Sequence, residues 1–156
     1  MVFIVAFGIA LYQQRDMASG IAPAIQAPLI SGIAFDLEQA QSKGPVLIYF
    51  WGTWCAVCRA VSPAVDAIAM EAPSNQYTVL SVALSSGNDA KISQYQTKHG
   101  YQFETLNDDS GHYSQQWGVK VTPSIFIVNP QGEISYVSTG VTSQWGMRIR
   151  LWLAGM

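Results

Sequence analysis

The chain carries little charge. Asp, Glu, Lys and Arg make up 12% of its 156 residues, which is about half the share usual in soluble proteins. Eight scattered basic residues against ten acidic ones give a net charge of −2. No basic patch is dense enough to neutralise a phosphate backbone, so the sequence disfavours nucleic acid as a partner.

Cysteine is also scarce. Two cysteines exclude both a disulfide-rich scaffold and a zinc site built from four thiolates. The hydrophobic content of 49% is too high for a disordered chain. The length fits about one domain, so the composition predicts a single, well-packed and lightly charged domain.

The sequence has no apolar run of the roughly 20 residues that span a bilayer, but a shorter apolar block opens it. Residues 1–12 are apolar except for Gly8, and no charge precedes Arg15. The block lacks the basic start of a signal peptide. We therefore interpret residues 1–14 as the truncated second half of a membrane anchor, or as a targeting segment; a helix or strand packed on the domain is the alternative. Residues 15–27 are predicted to be a flexible linker.

Residues 28–156 are predicted to form one α/β domain. Pro28–Leu37 has the pattern of two short strands around a Ser-Gly turn. Val46–Trp51 is a continuous apolar strand, as expected for a strand covered on both faces. These two segments predict a central strand preceded by an N-terminal β-hairpin.

The rest of the chain alternates between strand and helix patterns. A helix begins near Cys55, is kinked by Pro63 and is stopped by Pro73. Further along, the patterns predict a strand, two helices, a hairpin and a last helix, over residues 77–84, 88–98, 110–117, 124–138 and 143–153. Alternation requires parallel strands and the late hairpin adds antiparallel ones, which predicts a mixed β-sheet sandwiched by helices.

Both cysteines lie in one motif, Cys55-Ala-Val-Cys58, between the buried strand and the helix. Cysteines three apart at a helix start can close a small disulfide ring. The free N–H groups and partial positive charge of the helix start favour a thiolate at Cys55 and lower its pKa. Cys58, one turn further in, is more shielded. We therefore predict that Cys55 is the attacking thiol and that Cys58 resolves the mixed disulfide.

The motif has three alternative uses. A zinc site would need His99 and His112, which lie far along the chain. Two thiolates can hold Cu(I), so copper handling stays open as an alternative. A peroxidase usually uses a reactive cysteine in a different loop, and the neighbouring Cys58 argues against that class. No cofactor other than the redox-active disulfide is expected.

The stretch from Val46 to Pro63 resembles the active-site region of the thioredoxin superfamily. Pro63, eight residues after Cys55, matches the helix-kinking proline of that family, and Val121-Thr122-Pro123 resembles its cis-proline loop. The resemblance implies a thioredoxin-like fold with Pro123 in the cis form against the disulfide. It also implies that Thr122 presents its backbone to an extended substrate.

Within the superfamily, the chain resembles the membrane-anchored, extracytoplasmic TlpA/ResA-type branch, and most of all ScsD-like protein disulfide oxidoreductases. The leading hairpin, the insert Phe103–Asp109 and the spacing from Gln116 to Pro123 carry this resemblance. It implies a place in the bacterial periplasm or on the outer face of the cytoplasmic membrane. The implied partners are protein thiols and disulfides and a membrane thiol–disulfide donor.

The chain departs from the family pattern at the positions of two acidic residues. The buried carboxylate of thioredoxin is replaced by Tyr49, and the glutamate of ResA-type proteins is replaced by Val61. No proton acceptor for Cys58 is identifiable, and Glu104 and the Asp108/Asp109 pair are interpreted as solvated loop charges. The loop typical of cytochrome c maturation thioredoxins is replaced here, which weakens the case for a role in that process. The role nevertheless stays open.

Apolar residues around the cysteines are predicted to contact the substrate, namely Trp54, Ala56, Val57, Thr122 and Pro123. With so little charge in the chain, substrate choice is expected to depend on this apolar surface. For Trp51, packing in the core and shielding of the disulfide both stay open. The tryptophans outside this region, Trp117, Trp145 and Trp152, are predicted to pack inside the domain.

Overall fold

A computed structural model describes residues 2–156. They form six helices and seven strands in the order α1 (Val2–Gln14), β1 (Gln26–Pro28), β2 (Ala34–Asp36), α2 (Leu37–Gln41), β3 (Val46–Trp51), α3 (Ala56–Asn75), β4 (Thr78–Leu84), α4 (Asp89–His99), β5 (Thr105–Asp108), α5 (His112–Gln116), β6 (Ser124–Val128), β7 (Ile134–Thr139) and α6 (Gln144–Ala154). Strand β3, the helix after Cys55 and helices α4 and α6 agree closely with the sequence prediction.

Five strands form one mixed sheet in the order β5-β4-β3-β6-β7. Strand β3 runs parallel to β4 and antiparallel to β6, and the β4–β5 pair is parallel whereas the β6–β7 pair is antiparallel. Strands β1 and β2 form a separate antiparallel hairpin. This architecture confirms the prediction of a mixed sheet with helices and an N-terminal hairpin.

Strand β3 is the centre of the domain, because all six of its residues are buried. Successive side chains of a strand point to opposite faces of the sheet, so β3 contributes to two hydrophobic cores. Leu47, Tyr49 and Trp51 pack with residues of α3, α4 and α6, and the two cysteines lie in this core. The other three residues of β3 pack against the hairpin, the segment after α1 and Trp117.

Two elements were not predicted, and two predicted boundaries are wrong. Strand β1 begins at Gln26, within the segment predicted to be a linker, and ends at Pro28, where the hairpin was predicted to begin. Helix α2 and strand β5 lie in segments without a clear apolar pattern; in β5 only Leu106 is a large apolar residue. Pro73 does not stop α3, which continues to Asn75 and ends at Gln76 in the left-handed conformation (φ 56°). Pro73 lies within the last turn of α3, where the helix continues only briefly beyond the lost N–H donor.

The segment predicted to be a flexible linker packs against the domain. Met17 and Ile25 are buried in the second core. The Ala18 N–H donates to the Trp117 carbonyl oxygen, and the Ala22 N–H donates to that of Gly132, both at 2.9 Å. The small residues of this segment indicated a flexible backbone. Two buried apolar side chains and two backbone hydrogen bonds nevertheless hold the segment against the domain.

The predicted anchor segment, residues 1–14, corresponds to α1, and Met1 lies outside the described residues. The described apolar side chains of α1 are exposed on every side of the helix, from Phe3 to Tyr12. Within residues 2–156, no helix combines the length and the hydropathy required to cross a membrane.

The three tryptophans that were predicted to pack do not behave alike. Trp117 is fully buried, but Trp145 and Trp152 are 70% and 66% exposed. Helix α6 turns its other side inward, where Met147 and Leu151 are buried. The prediction was therefore wrong for Trp145 and Trp152, because α6 is apolar on both its inner and its outer face.

Candidate redox site

The disulfide motif lies where the central strand passes into the longest helix. Cys55 is the N-cap of α3 in extended conformation, and its N–H donates to the Gly52 carbonyl oxygen at 3.1 Å. The Cys58 N–H points back and donates to Cys55 Sγ at 3.1 Å. The sulfur of Cys55 thus takes the place of the oxygen acceptor that usually caps a helix.

Cys55 and Cys58 form a disulfide with a Cα–Cα distance of 5.2 Å. Within residues 2–156 there is no free cysteine. Cys55 retains 6% of its surface whereas Cys58 retains 1%, so Cys55 is the more accessible of the two. The roles of attacking and resolving thiol stay a prediction.

A buried pair of hydroxyl groups lies beneath Cys58. Tyr49 Oη donates to the Cys58 carbonyl oxygen at 3.2 Å and lies 2.9 Å from Ser62 Oγ. Burial raises the pKa of Tyr49 above its usual value, with the hydrogen bond to Ser62 opposing that rise. The phenol therefore stays protonated at neutral pH and holds the first turn of α3 in place. Sequence reasoning identified Tyr49 as a departure from the family but missed Ser62.

The second loop of the site contains a cis peptide bond between Thr122 and Pro123, as the family resemblance implied. The pairing of Phe50 with Ser124 places this loop at the edge of the sheet where β3 ends and the Cys55 loop begins. Pro123 is buried and its carbonyl oxygen accepts the Gly140 N–H at 3.0 Å. A substrate-binding role for Thr122 and Pro123 stays a prediction.

Exposed apolar side chains surround Cys55. Trp54 is 60% exposed and Val57 is 43% exposed. Ala56, which lies between these two residues in the sequence, is also exposed. The Trp54 Nε1–H donates to the Leu84 carbonyl oxygen at 3.1 Å, and the indole ring lies so close to Gly52 that a Cβ there would fall 2.6 Å from it. The position of Trp54 at the surface is therefore fixed by a hydrogen bond and by close backbone packing.

The acidic residues considered from sequence are all engaged elsewhere. Glu104 accepts a hydrogen bond from Ser31, and Asp109 accepts one from the Gly87 N–H. Asp108 is buried and accepts the N–H groups of Tyr113 and Ser114 at the start of α5. Asp108 is thus a structural carboxylate, which corrects its interpretation as a solvated loop charge.

The histidines are not gathered around the cysteines. His99 Nδ1 lies 2.8 Å from the Tyr95 carbonyl oxygen, and its ring packs on Tyr95 with centroids 4.1 Å apart. His112 packs edge-on against Tyr113. In the part of the chain that the structure describes, no three His, Cys, Asp or Glu side chains are grouped to hold a metal ion.

The AhpC/TSA family model matches residues 19–137, a range that covers the site and most of the sheet. The chain belongs to the AhpC/TSA family. A thioredoxin-like protein of Haemophilus influenzae is 39% identical over 154 residues, which cover 99% of this chain and 89% of the relative. The thiol-disulfide oxidoreductase ResA of Bacillus subtilis is 24% identical over 150 residues, covering 92% and 83%.

Solved structures of thioredoxin-family proteins have the same fold. A secreted disulfide oxidoreductase of Mycobacterium tuberculosis, homologous to DsbE, superposes with a TM-score of 0.70 at 25% identity, covering 83% of this chain and 95% of that structure. Together with the ResA relative, this confirms the resemblance to TlpA/ResA-type thioredoxins. The narrower resemblance to ScsD-like proteins stays a prediction.

Proposed function

We propose that this thiol–disulfide oxidoreductase exchanges disulfides with protein substrates outside the cytoplasm, with Cys55 as nucleophile and Cys58 as resolving thiol. The observation that carries the proposal is the disulfide at the start of α3. Cys55 Sγ there accepts the Cys58 N–H, and Cys55 is the more exposed residue of the two. The relatives named DsbE and ResA are thiol–disulfide exchange proteins, which supports the same chemistry here.

The reaction follows from this geometry. In the reduced protein, the Cys55 thiolate attacks one sulfur of a substrate disulfide, and the other substrate sulfur leaves as a thiolate. Cys58 then attacks the Cys55 sulfur, which releases the second substrate thiolate and closes the Cys55–Cys58 disulfide. The protein loses two electrons and the substrate gains them; with an oxidised protein and a dithiol substrate, the same steps run in reverse.

Reduction of insulin by dithiothreitol tests the activity. We expect the wild-type protein to accelerate insulin reduction and both Cys55→Ser and Cys58→Ser to abolish the acceleration, since each variant lacks one half of the exchangeable disulfide. Glu133→Ala, an exposed substitution at the start of β7, serves as the control and should behave as wild type. Activity that survives in Cys55→Ser would contradict the proposal.

No cofactor other than the disulfide is proposed, and Cu(I) binding by the same two thiols is the alternative. A titration of the reduced protein with Cu(I) distinguishes the two functions. Disulfide exchange with insulin in the absence of copper supports the oxidoreductase. Tight stoichiometric Cu(I) binding without any disulfide exchange would favour copper handling.

The proposed location is the periplasm or the outer face of the cytoplasmic membrane, with α1 attaching the protein to the bilayer. The exposed side chains of α1 are almost all apolar, and such a helix is costly to leave in water. A membrane thiol–disulfide donor is the proposed upstream partner. The relative from Mycobacterium tuberculosis named soluble secreted antigen MPT53 supports a place outside the cytoplasm.

Membrane attachment can be tested in cells that express the chain with a C-terminal epitope. We expect the wild-type protein in the membrane fraction after carbonate washing. A variant with Phe3, Phe7 and Leu11 changed to Ser should move to the soluble fraction, whereas Trp152→Ser on α6 should not. Equal release of the wild type and the α1 variant would contradict attachment through α1.

A further inference from the structure

Within residues 2–156, five of the eight basic residues form no ion pair; two of them are lysines of α4, and the others are Lys43, Arg59 and Arg150. Lys120 and Arg15 pair with Asp16, and Arg148 pairs with Glu71. Within residues 2–156, no ion pair joins Lys91 or Lys98 to a carboxylate. Both side chains are exposed, so their charges remain available to a partner.

The two lysines lie on one face of α4. Lys91, Tyr95 and Lys98 are spaced i, i+4 and i+7, which brings them into one row along the helix. The Lys91 stem lies over the loop before α4, where a Cβ on Gly87 would fall 2.8 Å from Lys91 Cδ. The row therefore presents two cations with an aromatic ring between them.

This row forms one wall of an open groove that extends to the loop before Cys55. The groove has a volume of about 720 Å³ and is lined by the row and two further residues of α4, Gln94 and Thr97, together with Thr53 and Ser86. Thr53 belongs to the loop that ends at Cys55, and its N–H donates to Ser86 Oγ at 3.0 Å. One end of the groove is thus formed by the loop that carries the reactive cysteine; we call it the Lys91–Lys98 groove.

The groove has no acidic residue in its lining. Two carboxylates near the loop before α4 are engaged in hydrogen bonds: Asp89 accepts one from Asn107 at 2.7 Å, and Asp109 accepts the Gly87 N–H at 2.9 Å. The whole chain carries a net charge of −2. A locally cationic groove in a weakly acidic protein is complementary to a negatively charged partner.

We propose that the Lys91–Lys98 groove binds an acidic segment of the substrate protein beside its reactive cysteine. Seven residues of helix separate the lysines by about 10 Å along the axis, which is the length of about three extended residues. Two carboxylates spaced as Asp-x-x-Asp in an extended segment match the two cations. This inference rests on the proposed oxidoreductase function and adds an electrostatic component to the apolar surface around Cys55.

Synthetic peptide disulfides test the inference. Each probe is a pair of identical ten-residue peptides joined through their single cysteines, with Asp-x-x-Asp, Asn-x-x-Asn or Lys-x-x-Lys next to the cysteine. The reduced protein converts each probe to two peptide thiols and becomes oxidised at Cys55–Cys58. Rates are measured by acid quench and chromatography at low salt and at 0.5 M NaCl.

For the wild type we expect the acidic probe to react about tenfold faster than the neutral one at low salt, because charge complementarity accelerates encounter. High salt should bring this ratio close to one. In Lys91→Glu/Lys98→Glu the ratio should fall below one. Lys43→Glu makes the same substitution at one exposed lysine at the opposite end of β3, with half the charge change of the double variant, and it should keep the wild-type ratio.

The outcomes separate this inference from the function on which it rests. If all three probes react at equal rates in the wild type, or if the double variant keeps the acidic preference, the groove does not select acidic segments and the inference is wrong, while the oxidoreductase function stands. If the wild type reduces no probe at all, both the proposed function and the inference fail.

Discussion

Tyr49 lies beneath the disulfide, at the position that the family resemblance assigns to a buried carboxylate. Its hydroxyl contacts the Cys58 carbonyl oxygen and Ser62 Oγ in a fully buried setting. The residue type could be identified from the sequence, but the partner could not, because the contact depends on the alignment of β3 with α3. Tyr49 is therefore a positioning residue that holds the first turn of α3.

Removing the Tyr49 hydroxyl should destabilise the oxidised protein. Tyr49→Phe keeps the ring in the core but removes one donor from the Cys58 carbonyl oxygen and the buried partner of Ser62 Oγ, so we expect the free energy of unfolding to fall by about 1–2 kcal/mol. Urea denaturation measures the change. Tyr136→Phe, on the half-buried strand β7, is the matched control; equal stability of Tyr49→Phe and the wild type would show that the hydrogen bond contributes nothing.

Tyr49 should also make the fold sensitive to alkali. Because burial raises its pKa above the usual 10.0, the unfolded chain loses the phenol proton at a lower pH than the folded chain does. Its contribution to stability is thus complete below pH 10 and is lost as the pH rises further. Urea midpoints between pH 9 and 11.5 should fall more steeply for the wild type than for Tyr49→Phe, and parallel slopes would argue against this assignment.

At the scale of elements, α3 is tied to the segment that leads into β5. The Asp66 side chain on α3 accepts the backbone N–H groups of Gln102 and Phe103 through one oxygen, at 2.6 and 3.0 Å. This link helps to explain why β5 forms although its sequence lacks an apolar pattern. The strand is held by parallel pairing with β4 and by a carboxylate from a distant helix.

Elements with a strong local signal were therefore predictable, and those that depend on distant contacts were not. The apolar run of β3 and the Asn88 and Gly100 caps of α4 are visible in the sequence, and the structure confirms them. Strand β5 depends on Asp66, far away along the chain. The same distinction holds at the redox site, where Cys55 and Cys58 were identified but Ser62 was not.

Loss of the Asp66 carboxylate should weaken the contact between α3 and the β5 segment. Asp66→Ala leaves two backbone N–H groups without an acceptor, and we expect a loss of about 3 kcal/mol in the free energy of unfolding. Glu133→Ala removes an exposed carboxylate and should change stability by less than about 0.5 kcal/mol. Chemical denaturation compares the two variants, and similar losses in both would refute the role given to Asp66.

At the scale of the whole molecule, apolar side chains are distributed between two buried cores and two exposed helix faces. The cores on either side of β3 explain the high hydrophobic content of the domain. The exposed faces belong to α1 and to the outer side of α6. Sequence pattern alone could not separate them, because Trp117 and Trp152 are equally apolar and differ only in what the fold places around them.

Truncation of these two tryptophans should therefore have very different costs. Trp117→Ala removes a fully buried ring that packs on Phe50 and Phe126, and we expect the free energy of unfolding to fall by about 3–5 kcal/mol. Trp152→Ala removes an exposed ring and should cost less than about 1 kcal/mol. Thermal and urea unfolding measure both, and a large loss in Trp152→Ala would mean that the outer face of α6 is covered in solution.

The central claim is that Cys55 attacks and Cys58 resolves, and trapping of mixed disulfides tests it most directly. Cys58→Ser and Cys55→Ser variants are incubated with an oxidised protein substrate, quenched with acid and separated without reductant. The account predicts mixed disulfides that accumulate on Cys58→Ser and none on Cys55→Ser. Mixed disulfides that form equally well on both variants, or only on Cys55→Ser, would contradict it.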